Sequence, residues 1–270
     1  MVATPIGNLG DITHRALDVL SGVDVIAAED TRHTKVLLQH FGISARLVAV
    51  HEHNERRSAE EVVRWIHEGK SVALVSDAGT PAISDPGAVI VAAVRAAGLR
   101  VFPIPGASAL TAALSASGFD FDGVVFAGFL PVKGAGRRRM LDSLAATAWA
   151  IVLFEAPHRI AQTLRDLHAA LGDRDVLIAR EITKRFETIT RMPLADAQAW
   201  VEADEDRRRG EFVLAIEARE PEARDAVDPG QVLAALLAEL PVKQAVALAV
   251  KITGGKRNEL YAMALGMKKD

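Results

Sequence analysis

The stretch Ser76–Gly87, with the sequence SDAGTPAISDPG, constrains the fold of this chain more than any other. It follows the apolar run Ser71–Val75, which is typical of a buried strand in a parallel sheet. Its two glycines, two prolines and two aspartates exclude both a continued strand and an immediate helix. The apolar run Ala88–Val94 then predicts a helix that begins near Asp85 and Pro86. This order places the loop at the carboxyl end of a strand, where open α/β sheets bind their ligands.

Within this loop, Asp77 comes directly after the predicted strand, where a carboxylate can bind a hydroxyl or an amine. Gly79 and Gly87 would let a ligand approach the backbone closely. A long structured turn that binds nothing explains the same spacing, so the loop alone does not decide the function.

Length, charge and cysteine content exclude several classes of protein. A chain of 270 residues exceeds what one core normally supports, so two domains are expected. The net charge of −3 excludes a general nucleic-acid coat and leaves RNA or DNA contacts to local basic clusters. The absence of cysteine from the sequence excludes disulfides, thiol nucleophiles and cysteine-ligated zinc. With neither a signal peptide nor an apolar run of about twenty residues, the expected location is the cytoplasm.

Short apolar runs alternate with helical patterns over residues 1–117, which predicts a parallel α/β domain. Its first loop holds Leu9 between glycines, and an acidic pair, Glu29 and Asp30, ends the next predicted strand. The loop lacks the G-x-G-x-x-G spacing, so a Rossmann-type NAD site is not expected. The turn Pro105–Ser108 leads into a helix whose free amides suit a carboxylate or the edge of a nucleotide.

Two local patterns in this domain make narrower predictions. Ser58 and Glu61 have the spacing of a capping box, which predicts a helix beginning at Ala59. His51 and His53 would share one face of a strand, but no further ligand has suitable spacing, so no metal site is expected.

Residues 124–218, after a hinge at 118–123, form a second predicted α/β domain. Strands follow one another there with fewer helices between them, so its sheet is expected to be mixed. Residues 131–139 combine glycines with four cations and are interpreted as a flexible loop that contacts phosphates, or as a solvated surface loop. The four cations are Lys133, Arg137, Arg138 and Arg139.

Residues 226–270 are predicted to form a small helical extension with the pattern of a helix-turn-helix. A charged linker at 221–226 precedes it, and Asp228 and Pro229 suit the start of a helix. Lys256 and Arg257 lie at the corner of a helix–glycine turn–helix, with Lys268 and Lys269 at the end of the chain. The extension therefore binds nucleic acid, or serves as a packing or dimer element.

Nine stretches together resemble one family, the bacterial small-subunit ribosomal RNA 2′-O-ribose methyltransferases of the tetrapyrrole-methylase superfamily. They are ATPIGNLGD, AAEDTRHT, HEHNE, SDAGTPAISDPG, PGAS, GFLP, FEAPHR, REITK and GEFVL, in that order. The resemblance implies two α/β domains with S-adenosylmethionine in the cleft between them, and a homodimer. It also implies methyl transfer to a cytidine ribose in the decoding region of the small-subunit RNA, free or in the assembled 30S subunit. The family usually carries several more apolar residues before the first loop, so either the first strand is short here or the natural start lies upstream of Met1.

The resemblance also implies site residues. Those expected to bind the cofactor are Leu9, Asp77, Thr80, Ser108, Ala109 and Phe154. A base or a cation beside the ribose hydroxyl should help it lose its proton, or positioning alone suffices. Candidates lie at strand or helix ends that face the expected cleft, and the sequence does not choose among them. These candidates are Glu29, Asp30, Arg32, Glu155, Glu181 and Lys184. The basic residues expected to contact RNA are Lys133, Arg137, Arg138, Arg139, Lys256 and Arg257.

Two other functions stay open at this point. A methylase that acts on a tetrapyrrole or another small molecule would not need the basic residues at 137–139 or the basic extension. A non-catalytic RNA-binding module would not need a cofactor cavity. Cofactor binding and methyl transfer to RNA distinguish the three.

Overall fold

The fold was analysed in a computed structural model that describes residues 1–51, 55–219 and 228–267. The chain divides into two compact units, Met1–Ala218 and Arg219–Asp270. Over the described residues the first unit contains two sheets with their helices, and the second contains three helices. None of the described helices is long and apolar enough to cross a membrane.

The first sheet is parallel and has the strand order β2-β1-β3. Its central strand β1 is apolar and buried along its whole length, as expected for a sheet covered on both faces. The chain start also reaches this sheet, because Val2 forms a parallel bridge with Ile104 and its amide donates to the Leu74 carbonyl. The strands are β1 (Val25–Ala28), β2 (Leu47–Ala49) and β3 (Val72–Val75). The helices around them are α1 (His14–Gly22), α2 (Thr31–His40), α3 (Glu55–His67), α4 (Ala88–Ala96) and α5 (Ala109–Ser115).

The second sheet is mixed, which confirms that expectation, and has the order β4-β5-β8-β6-β7. The pair β4–β5 is parallel and the other pairs are antiparallel. Sequence reasoning missed β7, an edge strand whose half-buried and exposed residues alternate and include several polar side chains. The strands are β4 (Val124–Phe129), β5 (Ala150–Glu155), β6 (Asp175–Arg180), β7 (Thr188–Pro193) and β8 (Phe212–Ile216). The helices are α6 (Gly134–Ala145), α7 (Ile160–Leu171) and α8 (Leu194–Glu202).

Two predicted helix starts are wrong. Ser58 lies inside α3 and is buried, so it cannot cap that helix. Helix α4 begins at Ala88 and is preceded by Gly87, whose φ of 137° suits glycine. Its first amides are bound by a side chain of another helix, because Glu55 Oε1 accepts from Gly87 N at 2.7 Å and from Val89 N at 3.2 Å.

The predicted basic loop at 131–139 is largely helical, because α6 begins at Gly134. Arg137 on this helix is only 9% exposed. Its guanidinium donates to Asp166 Oδ2 at 2.8 Å and to Thr163 Oγ1 at 3.0 Å, both on α7. Arg137 therefore joins two helices, and its assignment to RNA is withdrawn, whereas Arg138 and Arg139 are exposed.

The second unit contains α9 (Pro229–Glu239), α10 (Val242–Thr253) and α11 (Arg257–Met267). The expected cap at Asp228 is confirmed, since its Oδ1 accepts from Gly230 N at 2.9 Å. The three helices share a core around Leu233, Val246 and Leu260. The linker at 221–226 and the pair Lys268 and Lys269 lie outside the described residues. The domain boundaries expected from the sequence stay predictions.

Candidate active site

A cavity of about 390 Å³ lies between the two sheets of the first unit, a size typical of small-molecule sites. One side comes from the loop after β3, with Gly79 and Thr80, and from the start of α5. The other side comes from the end of β5, with Phe154, and from Lys184 in the segment after β6. The full lining is Ile6, Ala78, Gly79, Thr80, Ile83, Ser84, Asp85, Ser108, Ala109, Phe129, Phe154, Glu155, Ala156, Pro157, Ile182, Lys184, Glu211, Phe212 and Val213.

Backbone strain is concentrated in the two loops that form this cavity. The four described residues other than glycine with positive φ are Ala82 (69°), Ser84 (64°), Glu181 (51°) and Thr183 (68°). Such conformations cost about 1–3 kcal/mol each and persist where the surroundings impose them, often at functional sites. The strain therefore marks both loops as shaped for a ligand.

Lys184 is held between two carboxylates at the side of the cavity formed by the second sheet. Its Nζ donates to Glu181 Oε1 at 3.0 Å and to Glu211 Oε2 at 2.7 Å. Burial alone would lower the pKa of Lys184, but these hydrogen bonds raise it above the usual lysine value. Burial would also raise the pKa of Glu181, yet hydrogen bonds from the Glu211 amide and Lys184 hold it below the usual value. Lys184 therefore stays charged and is a poor proton acceptor.

The stem of Lys184 also fixes the first glycine loop. A side chain at Gly7 would overlap the Cγ of Lys184, so only glycine allows this approach. Two loops that are far apart in the sequence, around Gly7 and Lys184, thus meet at the cavity.

Glu155 lines the cavity, but its carboxylate is bound from the protein side. Its Oε1 accepts from Ala156 N at 2.8 Å and its Oε2 from Thr163 Oγ1 at 2.6 Å. Arg159 completes an ion pair with it at 3.2 Å, and the Glu155 side chain is fully buried. With its oxygens engaged, Glu155 fixes the shape of the cavity wall and is not available as a proton acceptor.

Carboxylates gather on the side formed by the first sheet, at the ends of β1 and β3. Burial raises the pKa of Glu29, and the charges of Asp85, Asp77 and Asp30 add to the shift. Burial, followed by the charge of Asp77, also raises the pKa of Asp85, which lines the cavity. Within the described residues neither Glu29 nor Asp85 forms an ion pair.

The other two carboxylates of this group have partners. Hydrogen bonds from Arg32 hold the pKa of Asp30 far below its usual value. Asp77 accepts from Asp30 N at 2.9 Å and lies 3.2 Å from His33 Nδ1. Asp30, His33 and Asp77 bring potential metal-ligand atoms within 4.8 Å of one another, but both oxygens of Asp30 contact Arg32, so we assign no metal. His53 of the histidine pair lies outside the described residues.

Aromatic rings form part of the cavity wall. Phe154 packs edge-on against Phe126 at 5.0 Å and Phe129 at 5.8 Å between ring centroids. Phe129 lines the cavity and is half exposed, so it offers an apolar surface to a ligand.

The structure brings four of the six predicted cofactor residues to this cavity. Thr80, Ser108, Ala109 and Phe154 line it, whereas Leu9 and Asp77 are outside its described lining. Among the catalytic candidates, Glu155 and Lys184 line it and Glu181 binds Lys184. Glu29 and Asp30 follow β1, and Arg32 lies in the first turn of α2. Sequence reasoning missed Asp85, Phe129 and Glu211, although Asp85 lies in the loop and Phe129 and Glu211 lie in motifs already singled out.

Comparisons with known proteins identify the family of this chain. The family model for tetrapyrrole (corrin/porphyrin) methylases matches residues 1–198, and that for the RsmI C-terminal HTH domain matches 223–268. A ribosomal RNA small subunit methyltransferase I of Escherichia coli O157:H7 is 51% identical over 267 residues, covering 98% of this chain and 93% of that protein. The chain belongs to the ribosomal RNA small subunit methyltransferase I family of tetrapyrrole methylases. The resemblance drawn from the nine motifs is thereby confirmed.

Further relatives and structures fit this family. The protein of the same name from Pseudomonas aeruginosa is 49% identical, covering 98% of this chain and 95% of that one. Cobalt precorrin-4 methyltransferase shares 20% identity at a TM-score of 0.59, covering 79% of this chain and 92% of that structure. Diphthine synthase shares 16% identity at a TM-score of 0.59, covering 80% and 88%. These two structures support the tetrapyrrole-methylase fold alone.

Proposed function

We propose that this methyltransferase transfers a methyl group from S-adenosylmethionine to the 2′-oxygen of a cytidine ribose in the decoding region of small-subunit ribosomal RNA. The observation that carries the proposal is the identity of 51% over nearly the whole chain with a relative named for ribosomal RNA methylation. The cavity offers a binding place for the cofactor, and exposed cations offer contacts to the phosphates of the RNA.

The cavity suits the proposed cofactor. S-adenosylmethionine carries a methyl group activated on a sulfonium, together with an ammonium group, and so presents positive charge. Asp85 in the lining and Glu29 near it are carboxylates with raised pKa and no ion pair within the described part of the chain, so a bound cation would stabilise their charged forms. Phe129 and Phe154 offer an apolar surface for the adenine ring.

The ribose hydroxyl must lose its proton during the reaction. Lys184 stays charged, Glu155 is engaged by Arg159, and Asp30 by Arg32. Glu29 is the candidate that keeps a raised pKa without a cationic partner among the described residues. We infer that Glu29 accepts this proton through a water molecule, because it lies at the end of β1 outside the described lining, where its Oε2 accepts from Asp77 N at 3.4 Å.

The RNA would be bound by cations outside the cavity. Lys133, Arg138 and Arg139 are exposed near the start of α6, and Lys256 and Arg257 are exposed where α11 begins. Phosphate contacts from such residues supply affinity without sequence specificity. We also propose that the assembled 30S subunit is the substrate and that the enzyme acts as a homodimer.

Methyl transfer to ribosomal subunits that lack the modification tests this proposal. Tritium from labelled S-adenosylmethionine should enter the small-subunit RNA, and mapping should place it on one cytidine ribose. A tetrapyrrole offered in place of the subunits should remain unlabelled. Labelling of the tetrapyrrole alone, or no labelling of either substrate, would contradict the proposal.

A further inference from the structure

An exposed aromatic side chain lies two residues along the chain from Lys184, which lines the cavity, and is not part of that lining. Phe186 belongs to the loop between β6 and β7, and 65% of its surface is exposed. The guanidinium carbon of Arg185 lies over the ring, 5.5 Å from its centroid. The ring is thus supported on one face by a cation and is largely exposed to solvent.

The exposure of Phe186 does not arise from a loosely held loop. Arg180 Nη1 donates to the Phe186 carbonyl at 3.1 Å, and Thr183 N donates to Glu187 Oε2 at 2.6 Å. Glu187 N donates to the Lys184 carbonyl at 3.1 Å. These bonds fix the backbone on both sides of Phe186, so the fold holds an apolar ring in solvent although burial would be favourable.

The position of the ring follows from its neighbour in the chain. Lys184 lines the cavity, and two trans peptide steps separate the Cα atoms of Lys184 and Phe186 by at most about 7.6 Å. The backbone of Phe186 therefore lies close to the lining of the cavity, on the side formed by the second sheet.

An aromatic surface at this place would suit the proposed substrate. A cavity of about 390 Å³ that also holds a cofactor cannot admit a paired helix, so the target nucleotide must leave its stack for the ribose to enter. Unstacked bases in RNA–protein complexes characteristically stack on aromatic rings and arginine planes.

We propose that Phe186, supported by Arg185, is the platform on which the target nucleobase stacks while its ribose is held in the cavity. This inference rests on the proposed function, since it assigns a binding place to the base of the same RNA substrate. Because every base has a stacking face, the platform holds the nucleotide without selecting its identity.

The test compares Phe186→Ala, Phe186→Leu and Phe186→Trp with the wild-type enzyme. Steady-state kinetics on unmodified subunits gives KM and kcat, and calorimetry gives the affinity for S-adenosylmethionine. An RNA fragment with a fluorescent cytosine analogue at the target position reports stacking as quenching. Phe102→Ala is the matched control, because Phe102 is 56% exposed and lies under Arg100 at 5.1 Å, but no residue within two positions of it lines this cavity.

We expect Phe186→Ala and Phe186→Leu to raise KM for the subunits by roughly 5- to 150-fold and to abolish the quenching, with cofactor affinity unchanged. Phe186→Trp should retain both signals, and Phe102→Ala should match the wild type. If Phe186→Leu binds subunits and quenches fluorescence as the wild type does, the platform is wrong while the proposed function stands. A wild-type enzyme that leaves the subunits unmethylated would overturn the proposed function and the platform with it.

Discussion

The two sides of the cavity differ in how their charges are balanced. On the side formed by the second sheet, Lys184 is shared by Glu181 and Glu211, and Glu155 is paired with Arg159. On the side formed by the first sheet, Glu29 and Asp85 stand near Asp77 with raised pKa and form no ion pair within the described chain. On one wall every named carboxylate thus has a cationic partner, and on the other two carboxylates have none among the described residues.

This difference assigns separate tasks to the two walls. Internal pairs fix side chains in one position, so the second-sheet wall supplies a rigid frame with aromatic surface. Uncompensated carboxylates destabilise the empty protein and bind a cation more strongly than paired ones do. The first-sheet wall is therefore expected to bind the positive charges of the cofactor.

The largest effect is expected from breaking a pair in the rigid wall. Arg159→Ala leaves the fully buried Glu155 without its cation, and an uncompensated buried charge costs about 3–5 kcal/mol. The free energy of unfolding, measured by chemical denaturation, should fall by that amount. Arg138→Ala removes an exposed arginine from the neighbouring helix and should change it little. Equal stability of the two variants would show that the second-sheet wall is not held by its pairs.

A smaller effect is expected from removing a carboxylate of the first-sheet wall. Asp85→Asn should weaken binding of S-adenosylmethionine by about 1.5–3 kcal/mol, the usual contribution of a hydrogen bond to a charged group. Asp77→Asn is the matched variant from the same loop, and it should lose less because its carboxylate faces Asp30 N and His33. If calorimetry shows a larger loss of affinity for Asp77→Asn than for Asp85→Asn, the cofactor contacts Asp77 instead.

The three arginines of α6 are expected to have two different roles, one in stability and one in RNA binding. The double variant Arg138→Ala and Arg139→Ala should flatten the salt dependence of RNA binding by about 0.7–0.9 per lost phosphate contact and leave stability unchanged. Arg137→Ala should instead lower the melting temperature, because Asp166 and Thr163 lose their partner. Filter binding at several salt concentrations, with melting curves, checks both. A normal salt slope in the double variant would make this face of α6 a merely solvated surface.

The smallest effect concerns the pH dependence of stability. Because the folded-state pKa of Glu29 lies above its unfolded value, the protein loses stability as the pH rises through the folded pKa. Glu29→Gln removes this loss, so its melting temperature should exceed that of the wild type by a margin that grows as the pH rises from the usual glutamate pKa through the raised folded-state pKa. A margin that shrinks over this range would mean that Glu29 has found a cationic partner.

The sequence predicted those features that depend on local chemistry. The irregular loop after β3 follows from its prolines and glycines, and the helix cap at Asp228 from the Asp-Pro pair. The mixed second sheet follows from closely spaced strands. The nine motifs together identified the family because motif order restricts the possibilities far more than any single motif does.

The failures are contacts between distant parts of the chain. Arg137 looked like part of a flexible basic loop because glycines surround it, and its partner Asp166 lies 29 residues later. Ser58 matched a capping box, but Glu55 of the same segment caps α4 instead. Asp85 and Glu211 are far apart in the sequence, and only the folded chain brings both to the cavity. The local sequence around each residue does not predict this.

The carboxylates of the first-sheet wall are expected to bind the positive charge of the cofactor. Calorimetric titration of wild type and Asp85→Asn with S-adenosylmethionine and with adenosine tests it, because adenosine shares the nucleoside and lacks both cationic groups. We predict that the substitution weakens S-adenosylmethionine by roughly 10- to 150-fold and leaves adenosine nearly unchanged. Equal losses for the two ligands, or no loss for either, would contradict the claim.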